Sequence, residues 1–427
     1  MTVSIVALSL ALSACALAFP RLLGGDPTRI KTKEITERQR FWQFIGIIIA
    51  SRVFMMVLAW VFMKLRGGTD FLKFYIDDYG DTPHYLRIAQ YGYTNDGGVF
   101  DKQIVFYPLL PMLIKGLAFI LYPFGKTYEL GVWETTITIR QNYVLAGYII
   151  TNIATVIGCG YFYKLLRMDY TDRTARDTVY LMLLYPVAFF MCFIFTEGLF
   201  FCLCVMTLYY ARQGRFVLSG LVGFLAALTR NQGFLVFGAA GYEYLVQARN
   251  NSHQNGKSFW QNLKPGGAAL LAIPAGYGVY MLLNHSLFGS YNKNFEFLQE
   301  APWWQNVGWM PEIIGRQFEW AVEHRGLAFS IYIPQLFVFF LGLALCYLGY
   351  KKRVRTSYLL HILAFTLMSF SATWLISGFR YMLSCTFMFI PLALQCQKPY
   401  WRAAVFSGTA ILCVLFFMMF SKHYSIM

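Results

Sequence analysis

The chain is short of charge. Asp, Glu, Lys and Arg make up 13% of its 427 residues, against roughly 25% in an ordinary soluble domain, which excludes a soluble globular enzyme. Acid is scarcest, with 21 Asp and Glu against 36 Lys and Arg and a net charge of +15. The nine cysteines form no CxxC pair, and Cys202 and Cys204 lie two apart inside an apolar run. Neither a zinc ribbon nor a disulfide framework fits that spacing, so the cysteines read as small apolar fillers. No basic segment is interleaved with exposed aromatics, so no nucleic-acid partner is implied. There is no DxD pair, no nucleotide-binding segment and no repeat of the kind that marks inverted transporter halves.

What is present is apolar: 57% hydrophobic and 19% aromatic residues, with a mean hydropathy of +0.48. That excludes disorder and points to an all-α polytopic integral membrane protein. Candidate spans are 4–22, 41–63, 143–163, 178–194, 197–211, 216–229, 233–247, 265–284, 327–349, 357–376, 382–395 and 403–420, which gives about 12 crossings. The run ending Leu12-Ser13-Ala14-Cys15 looks like a lipoprotein cleavage box but has no basic n-region, so an uncleaved first helix is expected. Lys and Arg in the short loops set the orientation. With 23–40 cytoplasmic, the inner segments hold 21 Lys and Arg against 6 acids, and the outer face 14 against 14. The balance requires that 105–123 lie in the outer interface rather than cross. The chain is then one transmembrane domain, 1–427, with extracytoplasmic stretches at 66–142 and 285–326.

The first outer loop carries Asp70, Asp77, Asp78, Asp81, Asp96 and Asp101, and most of these read as solvated acids. Asp81 opens the segment GDTPHYLRIAQYGY, 80–93. It is placed to cap a helix with Pro83 in its first turn. Tyr85, Ile88 and Ala89 share a face, Arg87 points away, and the helix ends near Gly92. This predicts an amphipathic helix on the membrane surface. Five charges fall in or near spans: Arg52, Glu197, Arg230, Glu243 and Arg380. Intramembrane charges are expensive, and usually line cavities or pair. Arg52 is placed to snorkel and Glu243 to sit at the inner interface. Glu197, Arg230 and Arg380 map to outer helix ends, level with Asp81. A carboxylate beside several arginines suits a phosphate-bearing lipid. The aromatics of HSLFGSYNKNFEFLQEAPWW, 285–304, suit either an interfacial belt or a platform for sugar faces. Adjacent Asp77 and Asp78 could hold a divalent metal, but two loop acids are weak evidence for one, so no metal or other cofactor is indicated.

These segments resemble a known family. GDTPHYLRIAQYGY is similar to the WDxxHYLxIAxxGY pattern of the GPI mannosyltransferase II family, a branch of the polytopic GT-C glycosyltransferases. FYPLLPML resembles its FPLYPLL segment, FTEGLFFCLCVMTLYYARQGR (195–215) its TESLF helix, and GLVGFLAALTRNQGFLVF (220–237) its ALATATRSNG segment. ASRVFMMVLA (50–59) and GFRYMLSCTFMFIPLAL (378–394) resemble its SR-containing and RY…P helices, in order over about residues 45–395. Gly80 stands where the family has Trp, Gln232 interrupts the S-N-G order, and 289–304 matches the GDP…F…Q..W pattern only loosely. The short chain fits a prokaryotic or divergent member, in the plasma membrane if prokaryotic and the endoplasmic reticulum if eukaryotic. The resemblance implies a GT-C-like fold and an inverting mannosyltransferase on the extracytoplasmic or lumenal face. The donor would be a polyprenyl- or dolichyl-phosphate sugar, and the acceptor a lipid-linked sugar or glycolipid. Asp81 takes the position of the general base, with His84, Tyr85, Glu197, Arg230, Asn231, Arg380 and Tyr381 as substrate contacts. The rival readings are a flippase or transporter of a lipid-linked glycan, and a non-catalytic membrane scaffold.

Overall fold

A computed structural model describes residues 2–24, 37–77, 80–121, 125–373 and 375–422. Asp78 lies outside them. Almost every element is a helix. Among the described residues the strands are one antiparallel hairpin, Thr127–Val132 with Thr135–Arg140.

Among the described residues, five helices are long and apolar enough to cross a membrane: Arg38–Leu65, Gln141–Arg167, Pro265–Phe288, Arg325–Lys351 and Pro399–Phe420. The chain is therefore built as a multi-pass helical membrane protein. Several other expected spans are shorter helices, such as Glu197–Arg212, Phe216–Ala227 and Thr356–Ser369. In the 105–123 region, Val99–Val105 and Leu109–Ile120 meet at a bend of 107°.

The expected span 178–194 is helical only in its first part, to Leu183. Asp172–Leu183 stops three residues before Pro186, because the residue preceding a proline is pushed out of the α region. Residues 185–196 then run fully buried, irregular apart from one short 3-10 turn, Ala188–Met191. Their phenylalanines pack into a core with Tyr75, Phe417 and Phe420. This segment ends at Glu197 and forms the back of the site described below.

The polar interior is divided between the two ends of the Glu197–Arg212 helix. Its 16 residues span about 24 Å at 1.5 Å per residue. At the far end, Arg212 Nη2 donates to Asp169 Oδ1 (2.8 Å), while Arg355 donates to Glu243 from Nε (2.5 Å) and Nη2 (2.7 Å). Ser357 and Tyr358 hydroxyls complete this cluster on Glu243 and Asp169. Glu243 is therefore wholly buried within the protein. Arg52 does not snorkel as expected; it is buried with Nη1 3.0 Å from Cys192 Sγ. Glu243→Gln is expected to cost about 3–5 kcal/mol, since it removes the charge from one side of a buried ion pair. Thermal unfolding in detergent should show that loss.

Candidate active site

The Thr82–Tyr91 helix forms as the sequence predicts, with proline in its first turn and Gly92 at φ +84 closing it. A positive φ there favours glycine. Its environment differs from the expectation. Thr82 to Ala89 are all buried, so the helix is packed inside the protein rather than laid on a surface. The hairpin covers its end: Gln90 Nε2 and Tyr91 Oη both donate to Thr138 O, at 2.9 and 2.6 Å. Arg87 turns inward, donates to Gln103 Oε1 (3.0 Å) and lies 3.8 Å over the Phe100 ring.

Asp81 precedes this helix but does not cap it with its side chain. Its Oδ2 instead accepts from Arg380 Nη2 at 2.6 Å. Arg380 Nε donates to Glu197 Oε1 at 2.7 Å, and Arg230 Nη1 reaches the same oxygen at 3.0 Å. Arg230 Nη1 also donates to Ser384 Oγ at 3.2 Å. Two acids and two arginines from four separate segments thus form one chain, Asp81–Arg380–Glu197–Arg230. Glu197 is wholly buried; Asp81 is the most open, its side chain 31% exposed. The guanidinium of Arg380 lies between the rings of Phe195 (4.5 Å) and Phe190 (4.8 Å), that of Arg230 over Tyr381 (5.1 Å). Desolvation of Asp81 pushes its pKa up, but the charge and hydrogen bond of Arg380 outweigh it, aided by His84 and Arg230. The carboxyl is held below its ordinary 3.8.

The chain of charges borders a cavity of about 180 Å³. Asp81, Tyr85, Arg230, Asn231, Arg380 and Tyr381 line it. The opposite wall comes from the second outer stretch, through Asn294, Phe295, Leu298, Trp303 and Gln305. The two stretches touch: Lys102 Nζ lies 3.1 Å from Glu300 Oε2 and 2.8 Å from Ala301 O, and the Phe106 and Trp303 rings are 6.2 Å apart. Trp303 is thus a wall residue, whereas Trp304 is 64% exposed.

Two expected substrate contacts are not among the lining residues. Glu197 is bound up with both arginines and acts on the cavity through them. His84 stacks on Phe106 (4.6 Å), which itself lines the wall. Gln103 Nε2 donates to His84 Nδ1 at 3.0 Å, and Arg87 orients that amide. Burial, with the charge of Arg87, outweighs the pull of Asp81 and pushes the imidazole down to about 4. A neutral His84 lacks the charge of a phosphate clamp and serves as a packed support. Asp77 lies 3.8 Å from Lys73. Sequence reasoning missed Tyr107, Ser369, Ser384, Phe190 and Phe195, since residues of these types inside apolar runs carry no periodic mark.

The turn Asn231–Leu235 brings Arg230, Asn231 and Gln232 to the cavity, and Gly233 allows it to pack there. A Cβ on Gly233 would collide with the backbone of Ala226 and Ala227, neither of which can yield as a flexible side chain would. Gly233→Ala is expected to cost about 1–3 kcal/mol. Thermal unfolding checks this, and a wild-type melting temperature contradicts it.

No family model and no curated protein matches the chain. Among solved structures, it is similar to ArnT from Cupriavidus metallidurans in the apo state. The TM-score is 0.48 and the identity 12%, over 86% of this chain and 63% of that one. The chain therefore spans less than two thirds of the length of that protein.

Proposed function

We propose that this protein is a membrane glycosyltransferase that moves a sugar, mannose in the first instance, from a polyprenyl- or dolichyl-phosphate donor to a lipid-linked or glycolipid acceptor. The observation that carries the reading is the Asp81–Arg380–Glu197–Arg230 chain beside a partly open cavity. The resemblance of residues 80–93, 195–215, 220–237 and 378–394 to the GPI mannosyltransferase II family supports it.

In this reading, Asp81 takes the proton of the acceptor hydroxyl as its oxygen bonds to the anomeric carbon. The bond from that carbon to the phosphate oxygen breaks with inversion, and the lipid phosphate leaves with one more negative charge. Arg230 and Arg380 neutralise that charge as it develops. An arginine carries five N–H donors. Nε and Nη2 of Arg230 and Nη1 of Arg380 hold no hydrogen bond among the described residues, which leaves them for the phosphate. Glu197 fixes both guanidinium groups, so they need no reorganisation during reaction.

The test is to incubate purified protein in nanodiscs with labelled short-chain polyprenyl-phosphate-mannose and a panel of glycolipid acceptors. Transfer of label to an acceptor is expected. In vesicles, movement of the labelled lipid between leaflets with no transfer would favour the flippase reading instead.

A further inference from the structure

The cavity has polar atoms that the protein leaves unmatched. Tyr107 Oη, Gln232 Oε1 and Ser369 Oγ are buried, make no hydrogen bond among the described residues, and belong to residues that line the cavity. An unmatched buried polar group is costly because it has lost its water without gaining a partner, and native interiors hold few of them. Here three fall on one cavity, from three segments distant in the chain: one follows the Val99–Val105 turn, one lies in Asn231–Leu235, and one ends the Thr356–Ser369 helix. Folding has tolerated them together in one place, and a ligand carrying several hydroxyls would satisfy them together.

Their chemistry narrows the ligand. Gln232 Oε1 only accepts, so its partner must bring an O–H or N–H; the two hydroxyls both donate and accept. All three are uncharged. Among the described residues, the charged ones that line the cavity are Asp81, Arg230 and Arg380, and these are joined through the ion pairs described above. No carboxylate is left over for an amino sugar, and no cation beyond the phosphate clamp for an acidic one. Trp303 and Phe106 add apolar faces suited to the C–H side of a sugar ring. Position assigns the sugar. Gln232 is two residues from Arg230 on one turn, so the group it meets adjoins the donor phosphate.

We propose that Tyr107, Gln232 and Ser369 form a hydroxyl-reading wall for the transferred sugar and set the donor-sugar specificity. This rests on the glycosyltransferase reading above. It makes the preferred donor neutral and fully hydroxylated, because a site built to bond a hydroxyl rejects the analogue that lacks it.

The experiment uses the full-length protein in nanodiscs with four probes: short-chain polyprenyl-phosphate-mannose and its 3-deoxy, 4-deoxy and 6-deoxy analogues. Donor binding and transfer are both measured, for the wild type and for Tyr107→Phe, Gln232→Leu and Ser369→Ala. The wild type is expected to prefer the complete sugar over at least one analogue by about 10–100-fold, the equivalent of one unmatched polar group. Each variant should lose about tenfold in use of the complete sugar and lose the discrimination at one position. Each should also melt at or above the wild-type temperature, because removing an unmatched polar atom relieves a cost. That rise separates lost recognition from lost folding. A wild type that uses the probes, with variants that keep its preferences, overturns this proposal alone. A wild type that binds none of the four overturns the glycosyltransferase reading and the proposal with it.

Discussion

Asp81→Asn is expected to lower sugar transfer by about 10²–10⁴-fold, the usual loss with a general base, in a protein that still folds and binds the lipid donor. The amide keeps the shape of the side chain but cannot take a proton from the acceptor. A capping role would predict almost no effect, because Asn caps as well as Asp, and the Asp81 side chain makes no cap hydrogen bond. Its partner is Arg380, which retains Glu197 when Asp81 is neutralised, so folding should survive. The pH dependence gives a second readout. Arg380 holds the carboxyl below its ordinary 3.8 despite burial, so Asp81 is ionised throughout the neutral and mildly acidic range. A depressed folded pKa means that the associated stability is present above 3.8 and lost as pH falls through the folded value. The acid limb of kcat should therefore fall below pH 3.8, and Asp81→Asn should remove it. Transfer near the wild-type rate in the variant would assign Asp81 to holding Arg380 and require another base.

The parts of this site that the sequence made legible are those with short-range signals. Pro83 and Gly92 bracket the helix after Asp81, and charges inside apolar runs single out Glu197, Arg230 and Arg380. The structure brings all four residues together. Long-range partners were not legible. Arg87 is drawn inward by Gln103, 16 residues on, and the surface orientation expected from its face is lost. Residues 185–196 illustrate a different limit. An apolar run of that length reads equally as a span or as buried irregular chain, and only the packing of Phe190 and Phe195 on Arg380 gives it a role. Tyr107 and Ser369 are ordinary residues of apolar segments until the cavity beside them is seen. The partner of Glu243, Arg355, is 112 residues away and was not legible for the same reason.

Arg380→Gln is expected to abolish donor use and to cost about 3–5 kcal/mol of stability, because it leaves the buried Glu197 short of a partner. Arg230→Gln should impair donor use as well but cost the fold less, since Arg380 still holds Glu197 at 2.7 Å. Arg380→Lys should not rescue. A lysine restores the charge but not the planar fork that reaches Asp81 and Glu197 from two nitrogens at once. Structural and functional losses can be separated by a second change. Adding Glu197→Gln to Arg380→Gln removes the stranded carboxylate, and part of the lost stability should return as the two effects couple. Donor use should not return, because the guanidinium that meets the phosphate is still missing. Thermal unfolding and donor titration of the single and double variants measure both. Recovery of donor binding in the double variant would make Arg380 a counter-ion for Glu197 and nothing more, and the phosphate would then rest on Arg230 alone.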